Sequence, residues 1–124
     1  MTWQIRKDSV RNQLLDTFIR CSAKGWDGYG ALPISNRAHS EAKTFLEALP
    51  TWIPLPEIVP EPDGGIGLEW FGGSHRVFVV SISGDNTITY AGLIGMGNKI
   101  HGIKVFNDSI PTIIIDSINE IFPL

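Results

Sequence analysis

Four short turn sequences divide the second half of the chain into strand-like segments, and this spacing constrains the fold more than any other feature. The turns lie at residues 62–65, 72–74, 83–86 and 95–98, and they are rich in Gly, Asp, Asn and Ser. The segments between them, at residues 66–71, 76–83, 87–93 and 100–105, favour β-strands, and 76–83 is the densest in β-branched residues. Because such short turns join antiparallel neighbours, the sequence predicts a meander sheet.

A proline-rich stretch precedes these segments. Residues 50–62 hold five of the eight prolines, at positions 50, 54, 56, 60 and 62. Proline lacks the N–H that a central strand donates on both sides of the ladder. The stretch is therefore predicted to be a stiff connector that becomes an edge strand over residues 57–61.

Three helices are predicted around the sheet, over residues 9–23, 36–48 and 112–122. Asp8 or Ser9 is the expected cap of the first helix and Ser35 that of the second. Asp108 or Ser109 is the expected cap of the third helix, with Pro111 in its first turn. The expected buried stripe of the first helix is Val10, Leu14, Leu15, Phe18, Ile19 and Ser22.

These elements define the expected fold class. We predict a single α+β domain over residues 1–124, in which an antiparallel meander sheet of four to five strands carries two N-terminal helices and one C-terminal helix on one face. A chain of 124 residues with 43% hydrophobic and 19% charged residues has the size and composition of one globular domain.

Charge and cysteine content limit the kinds of partner and the cellular compartment that we expect. The net charge is −3 and the lysines and arginines are scattered, so no nucleic-acid partner is expected. Cys21 is the only cysteine, which fits a reducing compartment. Residues 1–6 are too polar for a signal peptide and no apolar run is long enough to span a membrane, so a cytoplasmic location without membrane attachment is expected.

Familiar enzyme signatures are absent from the sequence. Residues 92–99 approach a phosphate-binding loop, but Asn98 interrupts the Gly-Lys pair and no Ser or Thr follows. One cysteine and three scattered histidines do not have the spacing of a zinc site. Cys21 with a histidine as base remains open, but a buried apolar role for Cys21 is favoured. No catalytic residue, metal or cofactor is therefore assigned, and an enzyme is the less favoured class.

The glycine-rich loop at residues 25–34 is the first candidate binding site. Trp26 and Tyr29 are rigid aromatics of the kind that anchor protein interfaces, and Asp27 has two possible roles. Asp27 either caps the loop's own amides or accepts a hydrogen bond from a partner. The two rings either face a partner or pack down and pin the loop.

A second candidate group lies in the predicted sheet. Glu69 stands between apolar residues, and it either faces solvent or points towards the helices, in which case it needs a partner such as Arg76 on the next strand. His101 lies where a strand leaves a turn. A small-molecule or enzyme site would require Asp27, Tyr29, Glu69 and His101 to converge on one pocket.

Several of these motifs together resemble those of a known family. They are the decapeptide at residues 25–34, the run Pro-Asp-Gly-Gly-Ile-Gly-Leu-Glu-Trp at 62–70, Tyr-Ala-Gly-Leu at 90–93 and His-Gly at 101–102. In this order they resemble a family of small uncharacterised proteins found in bacteria and on mobile elements. The resemblance implies a bacterial or phage-like intracellular setting. It also implies that the loop around Trp26, the pair Glu69 and Trp70, and His101 belong to the family's characteristic parts.

Three functions follow as hypotheses. The favoured one is a non-enzymatic module that binds another protein, with Trp26, Asp27, Tyr29, Glu69, Trp70, Arg76 and His101 as the candidate binding residues. The family setting suggests an antitoxin-like, inhibitor-like or accessory component. The alternatives are a small-molecule site between the loop and the sheet, or a self-assembling protein. For the latter, the sheet's last strand and the isoleucine-rich C-terminal helix, where Ile113 and Ile115 fall off the buried stripe, would supply the apolar surface of a homodimer.

Overall fold

The computed structural model describes the backbone of residues 2–122 and the side chains of residues 7–122. Its helices are α1 (Thr2–Arg20), α2 (Asn36–Ala48) and α3 (Thr112–Ile121). Its strands are β1 (Glu57–Pro60), β2 (Ile66–Gly73), β3 (Arg76–Ile82), β4 (Thr87–Ile94) and β5 (Lys99–Val105). The predicted α+β class and the element order are confirmed, and the strand bounds agree within two residues at each end.

The five strands form one antiparallel sheet in the order β1-β2-β3-β4-β5. Because side chains alternate along a strand, the register divides the sheet into two faces. The inner face carries the fully buried side chains, among them Leu68, Trp70, Phe78 and Val80. All three helices contribute to the core on this face, which confirms the predicted arrangement.

The opposite side, here called the outer face, carries no helix in the part of the chain that the structure describes. Register assigns to it the residues Glu57, Val59, Gly67, Glu69, Phe71, Val77, Val79, Ser81, Thr87, Thr89, Ala91, Leu93, Lys99, His101, Ile103 and Val105. None of them belongs to the buried core or to the side chains packed against it. The fold therefore leaves one whole side of the sheet open.

Helix α1 departs from its prediction in two ways. It begins seven residues earlier than the predicted start at residue 9, so Asp8 and Ser9 lie inside it and cap nothing. Its buried line is Lys7, Val10, Leu14, Thr17 and Cys21, whereas Leu15 and Ile19 are 50% and 61% exposed. Both sets of residues have helical spacing. The observed set is buried because α1 packs against α2 and β1 rather than flat on the sheet.

Helices α2 and α3 begin differently: a side chain caps α2, and none caps α3. Ser35 caps α2 as predicted, since its Oγ accepts a hydrogen bond from the Ala38 amide at 3.0 Å. In α3 the predicted caps are wrong: Pro111 occupies the N-cap position and no side chain caps the helix. Asp108 instead adopts a left-handed conformation with φ of 68°, and the chain turns there before the helix begins.

Helices formed by residues 2–122 include none that combines the length and the apolar character needed to cross a bilayer.

Candidate functional site

The loop at residues 25–34 is held by its own polar groups. The Oδ1 atom of Asp27 accepts hydrogen bonds from the backbone amides of Tyr29 at 2.8 Å and Ala31 at 3.1 Å. The Gly25 amide donates to the Ala31 carbonyl at 2.7 Å, which closes the loop at its base. Asp27 therefore takes the first of its two predicted roles, that of an internal cap.

The two aromatic rings of this loop differ in burial. Trp26 packs against the core, and its Nε1 donates to the Leu32 carbonyl at 2.7 Å. Tyr29 lies at the tip and is 93% exposed. Only Tyr29 is thus presented to a partner, as a single exposed ring.

Asp27 can be tested as a structural residue. Asp27→Ala removes one acceptor that serves two amides, and we expect a loss of about 1–2 kcal/mol in the free energy of unfolding. Hydrogen exchange of the Tyr29 and Ala31 amides should accelerate. Asp27→Asn keeps the Oδ1 acceptor and is the matched control. Unchanged exchange at both amides in Asp27→Ala would contradict this assignment.

Two of the candidate binding residues in the sheet, Trp70 and Arg76, make contacts that stabilise the fold. Trp70 is 1% exposed in the core, and its Nε1 donates to the Pro54 carbonyl at 2.6 Å. Arg76 donates from Nη1 to the Glu120 carbonyl at 2.9 Å, near the C-terminal end of α3. Glu69 pairs in register with Val79 and lies on the outer face, so it does not point towards the helices and the conditional pair with Arg76 does not form. The reason is that the two residues lie on opposite faces of the sheet.

Glu69 and His101 share the outer face but do not meet. They lie in one row across the strands, which runs Glu57, Glu69, Val79, Ala91, His101. Three strand spacings separate Glu69 from His101, or about 14 Å. Asp27 is occupied within its own loop. The four residues proposed for a small-molecule site are therefore not assembled into one pocket.

The middle of the outer face is apolar. Val77 and Val79 of β3 lie beside Ala91 and Leu93 of β4, and with neighbouring residues they line a shallow depression of about 370 Å³. Around it Phe71, Ile103 and Val105 are 70%, 69% and 62% exposed. A contiguous apolar area with a polar rim is characteristic of a protein-binding surface.

The two margins of the outer face carry opposite charge. Glu57 and Glu69 lie on β1 and β2, and the Glu61 carboxylate reaches over the same margin to accept a hydrogen bond from Ser81 Oγ at 2.7 Å. Gly67 makes room for it, since a Cβ there would lie 2.9 Å from Glu61 Oε2. At the other margin β5 presents Lys99 and His101. The face thus carries carboxylates along one edge and apolar side chains in the centre, and at the other edge Lys99 and the His101 imidazole are followed by apolar Ile103 and Val105.

Burial raises the pKa of the Glu61 carboxyl above its usual range, although the Ser81 hydroxyl partly opposes this shift. Between the unfolded and the folded pKa the native state binds more protons, so stability falls as pH rises through this window. Glu61→Gln keeps an acceptor for Ser81 and should flatten the fall between pH 4.5 and the raised pKa. Chemical denaturation across that range measures it, with the exposed carboxylate variant Glu57→Gln as control. A Glu61→Gln profile with the same slope as the parent through this window would contradict the assignment.

The described residues give little support for a metal site or a reactive cysteine. Within residues 7–122 no three His, Cys, Asp or Glu side chains come together as a metal site would require. Cys21 is 3% exposed, and burial raises the pKa of its thiol, which favours the unreactive protonated form.

The apolar centre of the outer face is the feature that sequence reasoning missed. The signal lies in β3, whose run Val77, Phe78, Val79 and Val80 is apolar at successive positions. Strict alternation is typical of an antiparallel sheet with one face in water, whereas a run that is apolar on both faces indicates that both become covered. The chain's helices cover only one.

Comparison with known proteins adds no relative: no protein family, no curated protein and no solved structure matches this chain significantly.

Proposed function

We propose that this protein is a non-enzymatic protein-binding module that binds through the outer face of its sheet. The observation that supports it best is the apolar centre around Val77 and Val79, which the chain's own helices leave uncovered. Burial of such a surface stabilises a complex by about 25 cal/mol per Å² of apolar area, before the cost of association. The resemblance described above makes an antitoxin-like, inhibitor-like or accessory component the expected kind of module.

Val79→Lys is the variant that tests this proposal. It places a charge in the apolar centre without disturbing the core, since Val79 is only half-buried and Glu69 lies beside it to pair with the new lysine. A partner recovered from bacterial extract by the parent should be identified, purified and titrated by calorimetry. We expect Val79→Lys to weaken the purified complex at least ~10-fold.

Tyr29→Ala serves as the matched control, because it removes the exposed ring of the loop and leaves the outer face intact. It should bind like the parent. A complex lost in Tyr29→Ala and kept in Val79→Lys would move the binding surface to the loop. Failure of the parent to bind any protein, including itself, would refute the proposed function.

A further inference from the structure

We infer that the outer face binds a second copy of this chain, sheet against sheet, about a two-fold axis parallel to the strands near β3. This inference rests on the proposed function, because it names the occupant of the same surface. Symmetric pairs are the commonest assemblies of soluble proteins, and a two-fold interface requires a surface that is complementary to itself. The outer face meets that requirement in its charges, its apolar residues and its area.

The charges select the direction of the axis. A two-fold axis parallel to the strands reverses the strand order, so β1 of one copy lies over β5 of the other. Glu57 on β1 then lies over His101 of the other copy, with Lys99 two residues along β5, and Glu69 on β2 lies over Ala91 on β4. An axis across the strands would instead place the acidic margin of one copy over the acidic margin of the other. Like charges in contact destabilise an interface.

The apolar residues also fit this arrangement. With the axis near β3, Val77 and Val79 face their own counterparts, and Phe71 lies over Leu93 of the other copy. Ile103, which is 69% exposed, lies over Val59. Packed sheets prefer nearly aligned strands, about 30° apart and about 10 Å between layers, and this axis produces that geometry.

The area is sufficient for a specific, moderately stable pair. Five strands spaced about 4.8 Å apart and about seven residues long span roughly 500 Å² of flat sheet. The pleated side-chain surface exceeds the flat area, so two copies would bury about 1,200 Å² in total, at the lower end of stable interfaces. We therefore expect a dissociation constant in the range of ~1–100 µM.

Analytical ultracentrifugation over a concentration series tests the pairing. The parent should be monomeric at low concentration and dimeric at high concentration. Val79→Lys should weaken the dimer at least ~100-fold, because the axis places the two new lysines against each other. Leu15→Lys, which adds the same charge to the exposed side of α1, should leave the dimer unchanged.

A charge exchange tests the direction of the axis. Glu57→Lys and Lys99→Glu, whose side chains meet diagonally across the interface, should each weaken the dimer by ~3–5-fold, and the double variant should return to within ~1.5-fold of the parent. Single variants that weaken the dimer without recovery in the double variant would overturn the proposed axis.

The remaining outcomes separate this inference from the proposed function. A parent that stays monomeric up to about 500 µM overturns the self-pairing, as does a dimer that tolerates Val79→Lys. If that monomeric parent still binds another protein and Val79→Lys does not, the proposed function stands while the inference fails. If neither pairing nor any other binding occurs, both fail.

Discussion

Trp70→Ala should lower the free energy of unfolding by about 3–5 kcal/mol, the largest loss that we expect from a single substitution in this chain. Trp70 is 1% exposed and lies beside Phe78, with ring centroids 6.2 Å apart. The substitution leaves a cavity between the sheet and the helices. It also leaves the Pro54 carbonyl without the indole N–H that now donates to it at 2.6 Å. Urea denaturation followed by circular dichroism measures the effect.

A loss of this size is a large part of the 5–15 kcal/mol typical of a domain, so a milder variant of the same residue is needed. Trp70→Phe therefore accompanies it. The phenyl ring retains much of the apolar volume but no donor for Pro54, and a loss of about 1–3 kcal/mol is expected. The adjacent exposed variant Phe71→Ala should change stability by less than about 0.5 kcal/mol. Equal losses in Trp70→Phe and Phe71→Ala would contradict the described core.

Lys7→Met should cost about 2–3 kcal/mol of unfolding free energy, although it exchanges a charged residue for an apolar one. Lys7 Nζ donates to the carbonyls of Leu46, Glu47 and Leu49 at 3.0, 3.0 and 2.9 Å. These carbonyls lie at the C-terminal end of α2, where the backbone supplies the Leu46 carbonyl with a long bond from the Leu49 amide at 3.4 Å. The ammonium therefore joins α1 to the C-terminal end of α2, and burial lowers its pKa.

The choice of methionine isolates the ammonium group. Its unbranched side chain retains the packing of the lysine stem, so the loss reports the three hydrogen bonds and the charge at the helix end. Lys24→Met makes the same change at an exposed position and should be nearly neutral. Denaturation at a fixed protein concentration compares the two variants. A Lys7→Met variant as stable as the parent would show that the three contacts contribute nothing.

Features of this fold that depend on a few neighbouring residues can be predicted from the sequence, whereas features that depend on contacts between distant segments cannot. The strands follow from turn chemistry and β-branched runs, and Ser35 predicts the start of α2 correctly, because these signals act within a few residues. The buried side of α1 does not follow. Leu15 and Cys21 both fit a helical stripe, and the contacts with α2 and β1 decide which of them is buried.

The candidate site also combines features set by neighbouring residues with features set by strand register. The internal cap formed by Asp27 is a local event and was one of the two roles that the sequence left open. The separation of Glu69 from Arg76 depends on strand register, since a shift by one residue exchanges the faces of a strand. The outer face is a property of five strands together, and the two charged margins become visible only when the register aligns them.

Cross-linking at Val79 tests the central claim most directly. With Cys21 replaced by alanine, Val79→Cys supplies a single thiol close to the proposed axis, and packed sheets lie about 10 Å apart. A bis-maleimide of about that reach should join Val79→Cys into covalent dimers at concentrations where the parent pairs. The same treatment of Leu15→Cys, a thiol on the exposed side of α1, should give monomers. Equal or absent cross-linking of the two variants would contradict the claim that the outer face of the sheet binds a second copy of this chain.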